Sequence, residues 1–397
     1  MNLSSRLVKH SSQTGESKPH ILNLVQQEDR ASLSYLFSWH AINDVRDDYE
    51  EQLREYFAVC NPSHVFLPSF ENEFQIYLQK LTKKKALWEQ GRCVYYPWIS
   101  TLVHVLEDNA FQKVRMARNH NLITEEEQKK FYNSVIGIAG LSVGNSVVLS
   151  IVLQGGGKHI RLADFDSLAL SNLNRIRGGV DGLGIKKTEI TARQIYLLNP
   201  YTILELFPEG LTKDNIAVFM KNGSKKLDVV IDEVDNMAIK CLIREYASRL
   251  GIPLVMAADN GDNAVVDIER YDKNPKLKFF HGRIGNVSYD KLIGLKKMEI
   301  GRLIAKHIGA ENTAMRMQES LQEVGKTLVS WPQLGGAALL NGCAAAYAVR
   351  RILTNQPLES NRAFVSLDES LDSTYFLAPQ ENHRKKTTEH YKKVFGL

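Results

Sequence analysis

The sequence predicts an α/β protein: a Rossmann-like, mostly parallel sheet flanked by helices, with a mainly helical N-terminal domain before it. The run Val135-Ile-Gly-Ile-Ala-Gly140-Leu-Ser-Val-Gly144 reads as a buried strand, a tight turn and the start of a helix, and an aliphatic stretch from Val147 to Leu153 follows it. Ile160-Arg-Leu-Ala163 is a second short apolar strand, ending on Asp164. Strand and helix signals then alternate to about Tyr271, as stacked βα units require.

Each element can be taken in chain order. Residues 1–20 are polar, with several serines, and are expected to be flexible. Between about Ile21 and Ala110, the segments from Val45 to Phe57 and from Phe70 to Leu81 repeat apolar residues at helical spacing, with Asn61-Pro62 separating them. The aromatic group Tyr95-Tyr-Pro-Trp98 is expected to pack this domain against the next. The main domain is expected over 111–355, with a less regular, glycine-containing stretch at 272–330. Trp331-Pro-Gln-Leu-Gly-Gly-Ala-Ala338 then opens a small-residue helix reaching Ile352, and 356–397 closes the chain with a solvated basic tail from Arg384 to Lys393.

Composition narrows the function. A chain of 397 residues with 44% hydrophobic content can bury a large core. Its 50 basic and 45 acidic side chains leave a charge of only +5, which gives no reason to expect a nucleic acid or membrane partner. No apolar run approaches the roughly 20 residues of a bilayer span and no signal peptide is evident, so a cytoplasmic protein is expected. Cys60, Cys93, Cys241 and Cys343 lack C-x-x-C spacing, so neither a disulfide framework nor a zinc site is expected. Cys241 and Cys343 fall in apolar helical surroundings and are expected to be buried thiols with raised pKa. His104 and His281 are read as structural.

The chemistry lies around the glycine turn. Glycines there let the backbone approach a phosphate, while free N–H groups and the helix dipole favour its charge. Asp164 at the next strand end is placed to accept hydrogen bonds from ribose hydroxyls, although an aspartate there also serves to cap a turn. Asp166, Asn172, Asn174 and Arg175 follow; then come Gly182-Leu-Gly-Ile-Lys-Lys187 and the strand Leu227-Asp-Val-Val-Ile231, which leads into Asp232-Glu-Val-Asp-Asn236. Upstream, Arg115-Met-Ala-Arg118-Asn and Glu127-Gln-Lys-Lys precede the first strand.

In this order the motifs resemble the ThiF/MoeB and ubiquitin-activating adenylyltransferase superfamily over roughly residues 112–275, in particular bacterial ThiF-like variants with an N-terminal extension containing Y-Y-P-W. Some of those relatives carry a nitroreductase-like domain, for which this length leaves no room. The resemblance implies an enzyme that uses ATP and Mg²⁺ to activate a carboxylate as an acyl-AMP. Gly140, Ser142 and Gly144 would form the nucleotide turn, Asp164 and Asp166 the D-x-D pair with Asp164 on the ribose, and Asn172, Arg175 and Lys187 the phosphate contacts. Asp235 would hold Mg²⁺, with Asp232 and Glu233 as alternatives; Lys186 is the alternative to Lys187. Arg118 would extend into the neighbouring subunit's site, which implies a homodimer.

These residue types suit that reaction. A carboxylate attacking a triphosphate brings two anions together, so the site must supply cations and fixed donors. Arginine donates two parallel bonds to phosphate, lysine adds a mobile charge and aspartate is a hard oxygen ligand for magnesium. The absence of cysteine from 272–330 argues against a thioester and favours direct capture of the adenylate. A peptide or small protein is the expected substrate, in the manner of ribosomal-peptide tailoring, with the N-terminal domain as a leader-peptide clamp. The alternatives are activation of a sulfur-carrier or ubiquitin-like protein, a nicotinamide-dependent oxidoreductase, and a catalytically inactive binding subunit.

Overall fold

The structure, a computed structural model, describes residues 16–397 apart from the side chains of Lys297 and Met298. The stretch expected to be flexible therefore lies, up to residue 15, outside the described residues. The chain divides into two compact units: one runs to Glu125 and includes Ala192–Thr202, and the other takes Glu126–Thr191 and Ile203–Leu397.

The first unit contains the helices Gln27–Ser38, Tyr49–Cys60, Phe70–Thr82 and Asp108–Arg115. The apolar faces seen in the sequence meet as Tyr49, Leu53, Phe74 and Leu106, with Phe57, Tyr77 and Leu81 packed around them. Most of its described secondary structure is helical, and a four-stranded sheet that the sequence did not reveal joins the helices. In spatial order its strands are His20–Leu22, Arg92–Tyr96, Thr101–Val105 and Asp44–Asp47. The last of these is Asp-Val-Arg-Asp, an edge strand too charged to announce itself. Tyr95 donates its hydroxyl to the Ala41 carbonyl at 2.8 Å and Tyr96 to that of Tyr196 at 3.3 Å, both partners within this unit. His104 is buried, stacked at 4.0 Å on Tyr49 and held between Asp47 and the Gln90 carbonyl, which is a structural role.

The second unit is built on seven strands: β1 (Val135–Ala139), β2 (His159–Ala163), β3 (Ile203–Phe207), β4 (Val229–Asp232), β5 (Leu254–Asn260), β6 (Asn263–Glu269) and β7 (Asn361–Val365). They lie in the order β7-β6-β5-β4-β1-β2-β3. The five from β5 to β3 are parallel, while β6 and β7 add antiparallel pairs at one side. The order 3-2-1-4-5 of the parallel strands is that of a doubly wound sheet, which reverses between β1 and β4 and opens a crevice at their carboxyl ends. β7 lies beyond residue 355, where the sequence reading ended the main domain, because a short half-polar edge strand carries little signal.

Helix α1 (Val143–Leu153) is buried along nearly its whole length, which its uniformly apolar and small residues allow. Helix α2 (Met237–Leu250) follows β4, helix α3 (Lys297–Ile308) lies in the stretch read as irregular, and helix α4 (Gly335–Leu353) packs on α1. A Cβ on Gly342 of α4 would fall 2.7 Å from the Ser146 backbone of α1, so the small-residue pattern is what lets the two helices approach. The basic C-terminal stretch keeps its charges largely exposed but is not a free tail. It forms helix α5 (Ala378–Phe395), whose Tyr391 is buried with Ala305, Met317 and Leu321 while Phe395 packs alongside. Polar contacts join them: Gln318 donates to the Thr388 hydroxyl at 3.0 Å and Arg384 to the Tyr375 carbonyl at 2.6 Å. Among the described residues, no helix is long and apolar enough to cross a membrane.

Two buried charge networks tie the outer strands and the 272–330 stretch to the sheet. Arg244 of α2 is fully buried, 2.6 Å from Asp232 of β4 and 2.7 Å from Glu269 of β6, with its guanidinium 3.8 Å over the Phe280 ring. Burial raises the Asp232 carboxyl, but Lys240 and Arg244 outweigh it and hold the pKa below the ordinary value. On β6, Asp267 takes two bonds of 2.7 Å from Arg362 of β7 and lies 3.1 Å from His307 and 3.3 Å from His281. His281 is thus a structural residue, and burial brings His307 down to about 4.

Replacing Arg244 by Met leaves Asp232 and Glu269 buried without their shared cation. The expected loss is about 3–5 kcal/mol of unfolding free energy, read from urea denaturation at neutral pH. A change within about 1 kcal/mol would mean that the two carboxylates reach protons or water without that cation.

Candidate functional site

The site grows from the ends of parallel strands. After β1 the chain turns at Gly140 with φ +86°, where a Cβ would fall 2.4 Å from the Glu233 carbonyl after β4. Both the dihedral and the space demand glycine. Gly144, in the first turn of α1, meets a side chain instead: its Cβ would lie 3.0 Å from the Ile138 Cγ2 methyl. No charged side chain occupies the first turn of α1, so its N-terminal dipole favours an anion there.

Asp164 at the end of β2 ties this turn down. It is buried, and it accepts hydrogen bonds from the Leu141 N–H at 2.6 Å and the Asp166 N–H at 2.8 Å. Burial pushes its carboxyl above the usual range, with Lys187 and these two donors pulling the other way. Each oxygen keeps a second lone pair for a hydroxyl donor. Asp166 pairs with Lys187 at 2.8 Å; the lysine is buried at 6% exposure while the carboxylate is half exposed. Lys186 donates instead to the Phe165 carbonyl at 2.7 Å.

Arg175 bends back to the start of α1, where its Nε donates to the Ser142 hydroxyl at 2.9 Å and one terminal nitrogen donates to the Ser171 carbonyl and the Asn174 side chain. Burial lowers its pKa, against the attraction of Asp259 and Asp235. Asn172 accepts from the Ala169 N–H at 3.0 Å and so braces the turn that carries Arg175. Asp235 is exposed at the start of α2, whose cap is its neighbour Asn236, accepting from the Ala238 and Ile239 N–H groups. The alternative Asp232 is committed to Arg244 and Lys240 inside the protein. Glu233 accepts from the Ala257 N–H at 2.8 Å, and burial of its carboxylate pushes the pKa well up.

Gly140, Ser142, Gly144, Asp164, Asp166, Asn172, Arg175, Lys187 and Asp235 all lie in the second unit, around the carboxyl ends of β1, β2 and β4. Arg118 belongs to the first unit, exposed on the short turn Ala117–Asn119. Cys241 is buried and pushed up to about 12, chiefly by desolvation. Cys343 corrects its expectation: it is exposed, because it falls on the outward side of α4 while Asn341 and Gly342 face inward.

One residue escaped the sequence reading. Asp259, near the end of β5, is 6% exposed and accepts from Asn341 at 2.6 Å and Gln333 at 3.3 Å. The Gln333 carbonyl in turn accepts from Asn174 at 2.9 Å, linking Asp259 to the segment that holds Arg175. A Cβ on Gly335 would fall 2.3 Å from the Asn174 carbonyl, so the start of α4 presses on that same segment. The signal was present as an acid closing the apolar run Ile252-Pro-Leu-Val-Met-Ala-Ala258, the pattern by which Asp164 and Asp232 close theirs. Burial pushes the Asp259 carboxyl up to about 6.

The ThiF family model matches residues 116–386, more than half of the sequence, and the chain belongs to that family. Its similarities reach into the wider ThiF/MoeB/ubiquitin-activating superfamily. The uncharacterized protein MT1398 of Mycobacterium tuberculosis is 36% identical over 328 residues, covering 82% of this chain and 45% of that protein. The tRNA threonylcarbamoyladenosine dehydratase of Escherichia coli is 33% identical over 128 residues, covering 32% of this chain and 46% of that one. A sulfur carrier protein adenylyltransferase of Thermus thermophilus is 28% identical over 135 residues, with 34% and 47% covered. The chain spans about half the length of these curated relatives.

Asp259 sets a pH dependence. The folded state holds its proton more tightly than the unfolded chain, whose value is near 3.8, so its contribution to stability is complete below that value and is lost as pH rises through about 6. Asp259→Asn has no proton to lose. Its unfolding free energy relative to the natural chain is expected to rise by about 2 kcal/mol between pH 4 and pH 7. A flat difference across that range would show that Arg175 already compensates the charge.

Proposed function

We propose that the second unit is an ATP-dependent adenylyltransferase that converts a carboxylate of a peptide or small protein into an acyl-AMP, in the manner of ribosomal-peptide tailoring. The observation that carries this reading is the bond from Arg175 to Ser142, which sets a guanidinium at the N-terminus of α1, whose first turn holds no acidic residue. Family membership supports it, as does the name of the Thermus thermophilus relative.

In this reading Gly140 and Gly144 leave room for the phosphates against the backbone, and Asp164 orients the ribose through its remaining lone pairs. Arg175, Asn172 and Lys187 meet the phosphate oxygens. A substrate carboxylate oxygen attacks the α-phosphorus; the bond to the bridging oxygen breaks and pyrophosphate departs with the electron pair. Arg175 and Lys187 stabilise the charge that builds on those oxygens. Asp235 suits Mg²⁺, being exposed, a hard oxygen donor and in no ion pair among the described residues. The ion would shield the triphosphate from the incoming anion.

The adenylate would pass directly to an external nucleophile or to a group on the substrate, since 272–330 has no cysteine and Cys241 is a buried, high-pKa thiol. The assembly proposed is a cytoplasmic homodimer, with Arg118 serving the neighbouring site and the first unit acting as the clamp for a leader peptide.

The test is exchange of labelled pyrophosphate into ATP by the purified protein with a peptide encoded beside its gene. Exchange is expected with the natural chain, and a fall of roughly 100-fold or more with Asp235→Ala or Arg175→Ala. Exchange supported only by a ubiquitin-like protein would transfer the reading to sulfur-carrier or ubiquitin-like protein activation. No exchange with either, together with stabilisation by NAD rather than ATP in thermal unfolding, would end it.

A further inference from the structure

The Arg175 guanidinium spends most of its donors inside the protein. Nε donates to the Ser142 hydroxyl at 2.9 Å, and Nη1 donates to the Ser171 carbonyl at 3.1 Å and to the Asn174 Oδ1 at 2.9 Å. Nη2 makes no hydrogen bond or ion pair among the described residues, so the two N–H groups it carries are the ones left for a ligand. Where they point is decided by what holds the other two nitrogens. Ser142 belongs to the turn already fixed by Gly140 and Asp164, whereas the Nη1 side rests partly on the exposed Asn174.

A side-chain amide offers oxygen on one side and nitrogen on the other, and only the oxygen can accept from a guanidinium. Asn174 is committed to the right orientation because its Nδ2 donates to the Gln333 carbonyl at 2.9 Å. Gln333 is placed in turn by its own side chain, whose Nε2 donates to Oδ2 of Asp259 at 3.3 Å. The other oxygen of Asp259 accepts at 2.6 Å from Asn341, a fully buried residue of α4 that also donates to the Ala337 carbonyl at 3.0 Å. A continuous path thus runs from the interior of α4, through the end of β5, to the guanidinium in the crevice.

The carboxylate in the middle of this path is not there for the fold. Burial pushes Asp259 up to about 6, so at neutral pH the protein keeps a charge that it would be more stable without. A charge held against stability is expected where a site needs it.

We infer that Asp259 is a positioning residue for the nucleotide: through Gln333 and Asn174 it fixes the direction of Nη2 of Arg175, and with it the place of the phosphates in the crevice. The inference rests on the adenylation reading for the identity of the ligand, and on the hydrogen-bond path alone for the role of Asp259. A bystander acid would act with the opposite sign. Its negative charge near Arg175 would repel phosphate, so its removal would tighten nucleotide binding rather than loosen it.

The experiment titrates the full chain with α,β-methylene-ATP and Mg²⁺ in a calorimeter at about pH 8, where Asp259 is ionised. Asp259→Ala is expected to weaken binding roughly tenfold. Gln333→Ala, at a half-buried position and without a change of charge, should do the same and decides the matter if Asp259→Ala does not fold. Asn174→Ala should give a similar loss, and adding either of the other substitutions to it should cost little more, because all three lie on one path. Losses that multiply, tighter binding after Asp259→Ala, or affinities unchanged by Asp259→Ala and Gln333→Ala would overturn the proposal. So would a natural chain that does not bind the analogue. Pyrophosphate exchange is measured alongside. Coupled binding losses with no exchange by the natural chain retire the adenylation reading and leave Asp259 positioning a bound triphosphate, whereas exchange with multiplying losses retires the role of Asp259 alone.

Discussion

The second unit depends on one close approach. The loops leaving β1 and β4 meet where a side chain at Gly140 would strike the Glu233 carbonyl, and that meeting defines the crevice between the two halves of the parallel sheet. Asp164 fixes it from the other side by gripping the Leu141 N–H, so β2 and the turn after β1 move as one piece. Arg175, reaching the hydroxyl of Ser142, adds a cation to a place the backbone has already shaped. A scaffold of this kind positions donors before any ligand arrives, which is where preorganised electrostatics acts most strongly.

The unusual weight of buried charge has a related explanation. Asp232, Arg244 and Glu269 bridge β4, α2 and β6, while Asp267 and Arg362 join the two antiparallel strands and draw in His281 and His307. Apolar packing is tolerant of sliding, whereas paired charges in a low-dielectric interior accept few arrangements. The stretch after β6, irregular in its sequence, is thereby fastened to the sheet by polar contacts that hydrophobic periodicity cannot reveal.

Legibility followed the same division. The glycine turn, the short apolar strands and the order of polar motifs were readable, because each depends on neighbours close in sequence. The four-stranded sheet of the first unit was not, since strands such as Asp44–Asp47 owe their place to a partner rather than to their own residues. Helix α5 looked like a tail because Tyr391 and Phe395 are few among many lysines. Asp259 was missed because its partners, Gln333 and Asn341, lie more than seventy residues away. Cys343 misled for a simpler reason: an apolar helix still has an outer face, and composition does not say which residues occupy it.

The pairing of Lys187 with Asp166 changes what the crevice asks of a visitor. This nearly buried ammonium is paired with a carboxylate on the preceding turn. Any anion that recruits Lys187 must take over from Asp166 or share the lysine with it, so the interaction is an exchange of partners rather than the capture of an idle charge. Densely charged guests win such a contest more readily than sparsely charged ones, and the released Asp166 is then free to take up a new neighbour. Under the adenylation reading, Asp166 and an arriving phosphate would compete for one amine, and that competition would set a threshold for entry.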